Sequence, residues 1–260
     1  VRAADRPAGA PAGVLLDADD TLYDTRAAMH AAGAEVAAEL WPAADPARIA
    51  QAGVRFRDDP EGHFGAYTRG EIEYDEMRTA RVAELATWLG QGRDERWSGR
   101  FDALYEPAFL GALAAFDDVR PAIEELSAAG VAVGVLTNSS AAYTDAKMRA
   151  AGLHDLFHVV CTRDTLGFGK PDARAFHAAC TRLGTTPEST LYVGDEVVND
   201  PLGATDAGLP AAWLVRDGEP GEHGAQLLAG RGVPVISSLA EVPGLLARAG
   251  ARFGVGESAR

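Results

Sequence analysis

Short apolar runs and amphipathic stretches alternate along the second half of the chain. Val131–Leu136 is a β-branched run that ends at Thr137-Asn138, and His158–Thr162 is a second. Leu191–Val193 ends at Gly194-Asp195, Ala211–Val215 follows, and Val233–Ile236 reads as a short edge strand. Near the start, Val14–Leu16 runs directly into Asp17. Runs this short and apolar predict strands buried on both faces, as in parallel sheets. Between them lie helical patterns at Val119–Ala129, Ala141–Ala151, Asp172–Leu183 and Leu239–Ala247. Thr186-Pro187-Glu188 also carries the early proline of a helix start. The alternation predicts an α/β core, a parallel sheet with helices on both faces.

Residues 25–112 break this rhythm. Two long amphipathic patterns, Ala27–Leu40 and Ile72–Leu89, are separated by Pro42, Pro60, Gly62 and Gly65, with no strand between them. The segment reads as an all-helical insert of about 90 residues, within the range of a small domain. Asp24-Thr25 suits an N-cap for its first helix. Arg93–Arg100 alternates in sign and reads as a solvated face or a loop. The expected plan is a core over 13–24 and 113–250, the insert over 25–112, a flexible lead over 1–12 and a tail over 251–260.

Composition narrows the partners. The chain has 260 residues and a formal net charge of −14, with 47% hydrophobic residues. An acidic balance argues against a general nucleic-acid binder, which needs a basic footprint. The acid is spread along the chain and forms no tail. Two cysteines, Cys161 and Cys180, are too few for a disulfide framework and point to a reducing compartment. Residues 1–12 lack the apolar run of about 7–15 residues that a signal peptide needs. No apolar stretch approaches the roughly 18 residues of a membrane span. A cytoplasmic monomer or homodimer is expected, with no nucleic-acid and no membrane partner.

Four segments place polar groups at the exits of predicted strands, the edge where open parallel sheets bind ligands. Asp17-Ala-Asp-Asp-Thr-Leu-Tyr-Asp24 packs three carboxylates into four residues. In a cleft these would repel one another unless a divalent cation joined them, and oxygen donors suit hard Mg²⁺; an acidic turn would spell the same way. Thr137-Asn-Ser-Ser140 offers hydroxyls and free N–H groups at a helix start, suited either to a phosphate oxygen or to a plain helix cap. Gly167-Phe-Gly-Lys170-Pro171-Asp172 fixes a lysine between a Gly pair and a proline and is not a Walker loop. Gly194-Asp-Glu-Val-Val-Asn-Asp200 adds carboxylates on the next exit.

In this order the segments resemble the motifs of the haloacid dehalogenase superfamily. The matching residues are Asp17-x-Asp19-x-Thr21, Thr137 after a strand, Lys170-Pro171, and Gly194-Asp195-x-x-x-Asn199-Asp200, and the resemblance covers residues 13–245. It implies a Rossmann-like core with a helical cap inserted between the first and second motifs. It also implies a Mg²⁺-dependent phosphomonoester hydrolase acting on a small soluble phosphate. By that resemblance Asp17 is the nucleophile that forms an aspartyl-phosphate, and Asp19 is the general acid and then base. Thr137 and the backbone N–H of Asn138 hold phosphoryl oxygens, and Lys170 neutralises charge shared with Asp17. Mg²⁺ falls to the Asp17 carboxylate, the Asp19 carbonyl and Asp195, with Asp200 acting through water or orienting Lys170.

Three other functions compete. A metal-independent 2-haloacid dehalogenase of the same fold attacks carbon with the same aspartate, but usually alters Asp19 and the last-motif pair, all of which are kept here. A sugar phosphomutase shares the motifs. A non-enzymatic binding relative would be expected to lose Asp17 or Lys170. In the cap, Phe64, Tyr67, Arg69 and Glu71 are the candidates for contacting the leaving group. Asp20 stands where the family often has glycine. His154 and His158 are four apart, but His158 opens a strand pattern, so they are not read as a metal pair; Gly254-Val-Gly-Glu-Ser-Ala has no following helix and is discarded as a nucleotide fingerprint.

Overall fold

β1 (Gly13–Leu16) is apolar at every position and buried at every position, so it can only be an inner strand. β4 (Thr190–Gly194) is likewise buried at every position, while β2 (Ala132–Thr137) is partly covered at its start and buried from Gly134 to its exit. In the computed structural model, which describes residues 13–92, 94 and 96–253, these strands join β3 (Val159–Thr162), β5 (Ala211–Leu214) and β6 (Val235–Ile236). The sheet is parallel throughout, in the order β3-β2-β1-β4-β5-β6. Chain order therefore runs outward from β1 to β3, then jumps back to β4 on the other side. The β1/β4 boundary is the topological switch point, where such sheets open a crevice at their C-terminal edge.

Register decides what meets there. Leu16 pairs with Val135 on one side and Val193 on the other, so Asp17 leaves the sheet level with the exits of β2 and β4. The Asp17 N–H still donates to the Val193 carbonyl at 2.9 Å, which pins the first residue past the strand. The core on one face gathers Leu15, Leu136, Cys161, Phe176, Cys180 and Tyr192 around α9 (Ala173–Leu183). Asp172 caps α9 by accepting from the Arg174 N–H at 2.9 Å. The other helices of this unit are α6 (Val119–Ala128), α7 (Ala141–Ala150), α8 (Arg163–Leu166), α10 (Gly203–Asp206), α11 (Glu222–Leu227) and α12 (Val242–Phe253).

Asp24–Ala114 form a second compact unit, all helical among its described residues. It contains α1 (Thr25–Leu40), α2 (Pro46–Asp58), α3 (His63–Thr68), α4 (Tyr74–Trp88) and α5 (Arg96–Ala112). Asp24 caps α1, accepting from the Ala27 N–H at 2.7 Å. Asp45 does the same for α2 at the Ala47 N–H, with Pro46 at the first helical position. Helix α5 is held by a ladder of aromatic rings four residues apart, Phe101–Tyr105 at 5.2 Å and Tyr105–Phe109 at 6.2 Å between centroids.

Of the Arg93–Arg100 stretch, expected to be a solvated face or a loop, the part from Arg96 is the solvated start of α5, where Trp97 begins the apolar spacing that Phe101, Tyr105 and Phe109 continue. Two sequence expectations need correction. Thr186-Pro187-Glu188 opens only a single 3₁₀ turn, Pro187–Ser189, because Thr190 at once begins β4. The tail over 251–260 starts too early, since α12 runs on to Phe253. The lead over 1–12 and the Gly254 segment lie outside the described residues.

Helices α1 and α2 approach backbone to backbone. A Cβ on Gly33 would sit 2.3 Å from the Gly53 Cα, and one on Gly53 would sit 2.0 Å from the His30 carbonyl oxygen. Backbone cannot step aside as a side chain can. Gly53→Ala is therefore expected to cost about 2 kcal/mol or more through overpacking. Urea unfolding followed by tryptophan fluorescence checks this, since Trp41, Trp88 and Trp97 all lie in this unit. A midpoint unchanged from wild type contradicts it.

Candidate active site

The exits of β1, β2 and β4 bring three of the four polar segments together, and the loop before α9 supplies the third in sequence. Lys170 is the centre. Its Nζ donates to Asp17 Oδ1 at 2.6 Å, to Asp200 Oδ1 at 2.6 Å and to the Tyr192 hydroxyl at 2.9 Å. All three ammonium protons are thus engaged, and the side chain is 3% exposed. Its backbone is clamped as well: the Lys170 N–H donates to Asn138 Oδ1 at 2.7 Å, and Asn138 Nδ2 donates back to the Lys170 carbonyl at 2.9 Å. The amide side chain of Asn138 therefore positions the lysine loop, beyond any part its N–H plays toward a ligand. The Lys170–Pro171 bond is cis.

Asp200 is fully buried on a π-helical turn, Val198–Leu202. Such turns often mark functional positions, because they re-aim a side chain within a helix. Both its oxygens are spent: Oδ1 on Lys170 and the Tyr192 hydroxyl at 3.0 Å, Oδ2 on the Glu196 N–H at 2.9 Å. Only glycine at 194 permits this seat, for a Cβ there would lie 2.4 Å from Asp200 Oδ2. Asp195 is less enclosed; it accepts from the Thr21 hydroxyl at 3.5 Å, and its carbonyl accepts from Trp213 Nε1 at 2.9 Å. Thr137 is 2% exposed at the end of β2, with its hydroxyl accepting from the Ser139 N–H at 3.2 Å.

Charge accumulates faster than the protein neutralises it. Asp17, Asp195 and Asp200 each place a carboxylate oxygen within 4.8 Å of the others. One ammonium bonds two of these three carboxylates, Asp17 and Asp200, which leaves a surplus of negative charge in a buried place. Burial, then the charges of Asp200 and Asp19, push the Asp17 carboxyl up to about 7 despite Lys170 beside it. Burial and the charges of Asp17, Asp200 and Asp20 push Asp195 up to about 8. Burial works against the Lys170 charge, but Asp17 and Asp200 outweigh it and hold the ammonium above its ordinary range. An all-oxygen, over-negative set of this kind fits a hard divalent cation.

Asp19 stands apart from that trio. Both its carboxylate oxygens accept from Lys147 Nζ, at 2.7 Å each. Lys147, on α7, was outside every sequence motif, as were Tyr192 and Arg216. Arg216, just past the exit of β5, donates to the Thr21 carbonyl at 2.6 Å and to Asp118 at 3.1 Å, bracing the first-motif loop. His154 and His158 lie in the loop between α7 and β3, on no common helix. In the helical unit, Phe64 and Tyr67 lie on α3 with ring centroids 6.2 Å apart, and Arg69 pairs with Glu71 through contacts of 2.6 and 2.9 Å. Phe64 is half exposed.

A family model described as haloacid dehalogenase-like hydrolase matches residues 11–208. A Mycobacterium tuberculosis protein named Phosphatase MT3486 is 35% identical over 164 residues, which is 62% of this chain and 75% of that one. The glyceraldehyde 3-phosphate phosphatase of Methanopyrus kandleri is 28% identical over 203 residues, 78% of this chain and 83% of the relative. The same fold occurs in the crystal structure of the HAD-hydrolase YfnB from Bacillus subtilis bound to magnesium. That similarity has a TM-score of 0.69 at 23% identity, covering 90% of this chain and 97% of that one.

The raised carboxyls carry a consequence for stability. Asp17 at about 7 and Asp195 at about 8 hold their protons more tightly folded than unfolded. Their contribution to stability is full below about pH 4 and is lost as pH climbs through about 7 to 8. A cation that binds the ionised carboxylates offsets the loss. The rise in Tm on adding Mg²⁺ is expected to grow between about pH 5 and about pH 8. A shift that stays flat or shrinks over that range in thermal melts contradicts this charge distribution.

Proposed function

The chain belongs to the haloacid dehalogenase-like hydrolases, and we propose that it is a Mg²⁺-dependent phosphomonoester hydrolase working through an aspartyl-phosphate on Asp17. The observation that carries this reading is the surplus-negative trio of Asp17, Asp195 and Asp200, with a single lysine bonded to Asp17 and Asp200. Carbon attack without a metal has no use for it. Phosphoryl transfer does, because its demand is for positioning and charge neutralisation rather than for elaborate covalent chemistry.

Asp17 attacks phosphorus in line with the leaving oxygen, and the bond to that oxygen breaks as the Asp17–phosphorus bond forms. Asp19 protonates the departing oxygen. Water then attacks the aspartyl-phosphate, gives a proton to Asp19, and releases phosphate and a free Asp17. The Thr137 hydroxyl and the Asn138 N–H hold phosphoryl oxygens at the end of β2. Lys170 keeps charge from building between Asp17 and the phosphoryl group. Asp17, Asp195 and the Asp19 carbonyl would hold Mg²⁺, which supplies charge neutralisation at the phosphoryl oxygens. Asp200, with both oxygens engaged, anchors Lys170.

The substrate is a small phosphomonoester, and its choice falls to the helical unit. We assign Phe64, Tyr67, Arg69 and Glu71 to the leaving group, since the core residues act on phosphate alone. The free thiols of Cys161 and Cys180 suit a reducing compartment such as the cytoplasm.

A phosphate-release screen tests the reading, with glyceraldehyde 3-phosphate, phosphoglycolate, nucleoside monophosphates and p-nitrophenyl phosphate as the panel. Release is expected with Mg²⁺, lost on chelation, and reduced to background by Asp17→Asn. Activity surviving either treatment contradicts the mechanism, and chloride release from a 2-haloacid without metal favours the dehalogenase instead. Alanine at Phe64, Tyr67, Arg69 or Glu71 is expected to change the ranking of esters in the same screen. An unchanged ranking for all four removes them from the substrate site.

A further inference from the structure

Arginine supplies nearly all of this chain's positive side chains. Of 24 Lys and Arg residues, only two are lysine, Lys147 and Lys170. Neither is a surface charge, for each side chain is 3% exposed. Lys170 is the motif lysine. Lys147 sits on α7 and closes on both oxygens of Asp19 at 2.7 Å, with the rings of Tyr23 and Tyr143 at 5.5 and 4.9 Å from its Nζ.

Stability does not explain such a pair. A buried ion pair is often matched or bettered by apolar side chains of similar volume. Nor does a general preference for lysine, since the more enclosed ion pairs elsewhere use arginine, as at Arg81–Asp59 and Arg216–Asp118. A lysine ammonium is a compact charge on a flexible stem, whereas guanidinium is a broad planar fork. Lysine is what remains where a carboxylate must be gripped in little space. Two charge-assisted bonds, with the ammonium equidistant from both oxygens, hold the carboxylate in place.

We propose that Lys147 is a positioning residue, which seats the Asp19 carboxylate for both of its proton transfers. The proposal rests on the phosphatase reading in that Asp19 is the acid and base. Lys147 touches neither phosphate nor leaving group in this role; it acts through Asp19. The loop around Asp19 needs such a seat. Asp20 beside it holds a left-handed φ of 55°, and the Asp20 N–H donates to the Tyr23 carbonyl at 3.0 Å, so the turn is tight and sets the direction of the Asp19 main chain. The carboxylate beyond it is still one-third exposed.

A double-mutant cycle on the full chain tests this, using the best ester of the screen. Asp19→Asn is expected to lower kcat by about a hundredfold or more, the loss of general acid–base catalysis. Lys147→Met is expected to lower kcat by about tenfold or more with KM little changed. The double variant is expected to be no slower than Asp19→Asn alone, since Lys147 has nothing left to position. Losses that multiply, or wild-type kinetics for Lys147→Met, overturn the proposal. A second measurement does not depend on turnover or on the folding of Lys147→Met. Protein labelled with ¹⁵N at the lysine Nζ has two ammonium signals. The Lys147 signal is expected to exchange slowly with solvent in wild type and fast in Asp19→Asn, with Lys170 unaffected; a Lys147 signal indifferent to Asp19→Asn overturns the seat. If wild type releases phosphate from no ester, the phosphatase reading fails and this second measurement alone decides whether Lys147 seats Asp19.

Discussion

The Lys170 ammonium, shared between Asp17 and Asp200 and steadied by the Tyr192 hydroxyl, is the contact on which the rest of the site depends. Its partners come from β1, from β4 and from the turn after β4, and its own loop is tied by Asn138 to the exit of β2. No two of these segments are neighbours in sequence except β4 and its turn. Only a parallel sheet with β1 between β2 and β4, in the observed register, can deliver them to one point. The fold is thus held to a narrow tolerance by chemistry: a slip of one residue in β1 would turn Asp17 toward the opposite face.

Electrostatics gives the site its direction. Lys170 cannot balance three carboxylates, and the second buried ammonium, Lys147, is spent on Asp19. Asp17 and Asp195 are pushed well above the ordinary carboxyl range as a result. The cost falls on the metal-free protein, and a bound hard cation would remove it. An acidic chain with an anionic substrate is therefore consistent, provided the cation arrives with or before the phosphate. The net charge of −14, which on its face only excludes nucleic acid, has part of its origin in this cluster.

Much of this was legible in the sequence because parallel strands advertise themselves. Val14–Leu16, Val131–Leu136 and Leu191–Val193 are too short and too apolar for anything but an inner strand, and each ends on a polar motif that the structure gathers at the switch point. The helical unit was harder to read. Helix α2 starts from Asp45-Pro46, a cap that Pro42 a few residues earlier made look like part of a linker, and the charges of Arg93–Arg100 hid the aromatic ladder of α5. The residues that orient the site were harder still. Tyr192 and Arg216 reach it from within or beyond strands whose apolar pattern gives no sign of a polar duty. Lys147 sits in an ordinary helix, and its signal was compositional: in a chain with two lysines, each deserves a reason.

Whether Asp17 carries the phosphoryl group decides the mechanism. Acid quench during turnover, followed by borohydride reduction and peptide mass mapping, measures that directly. An aspartyl-phosphate on Asp17 is expected, seen after reduction, which expels phosphate and takes the acyl carbon to the alcohol, as homoserine at position 17. Phosphate release with no modified peptide, or with the reduced residue at another position, would contradict it.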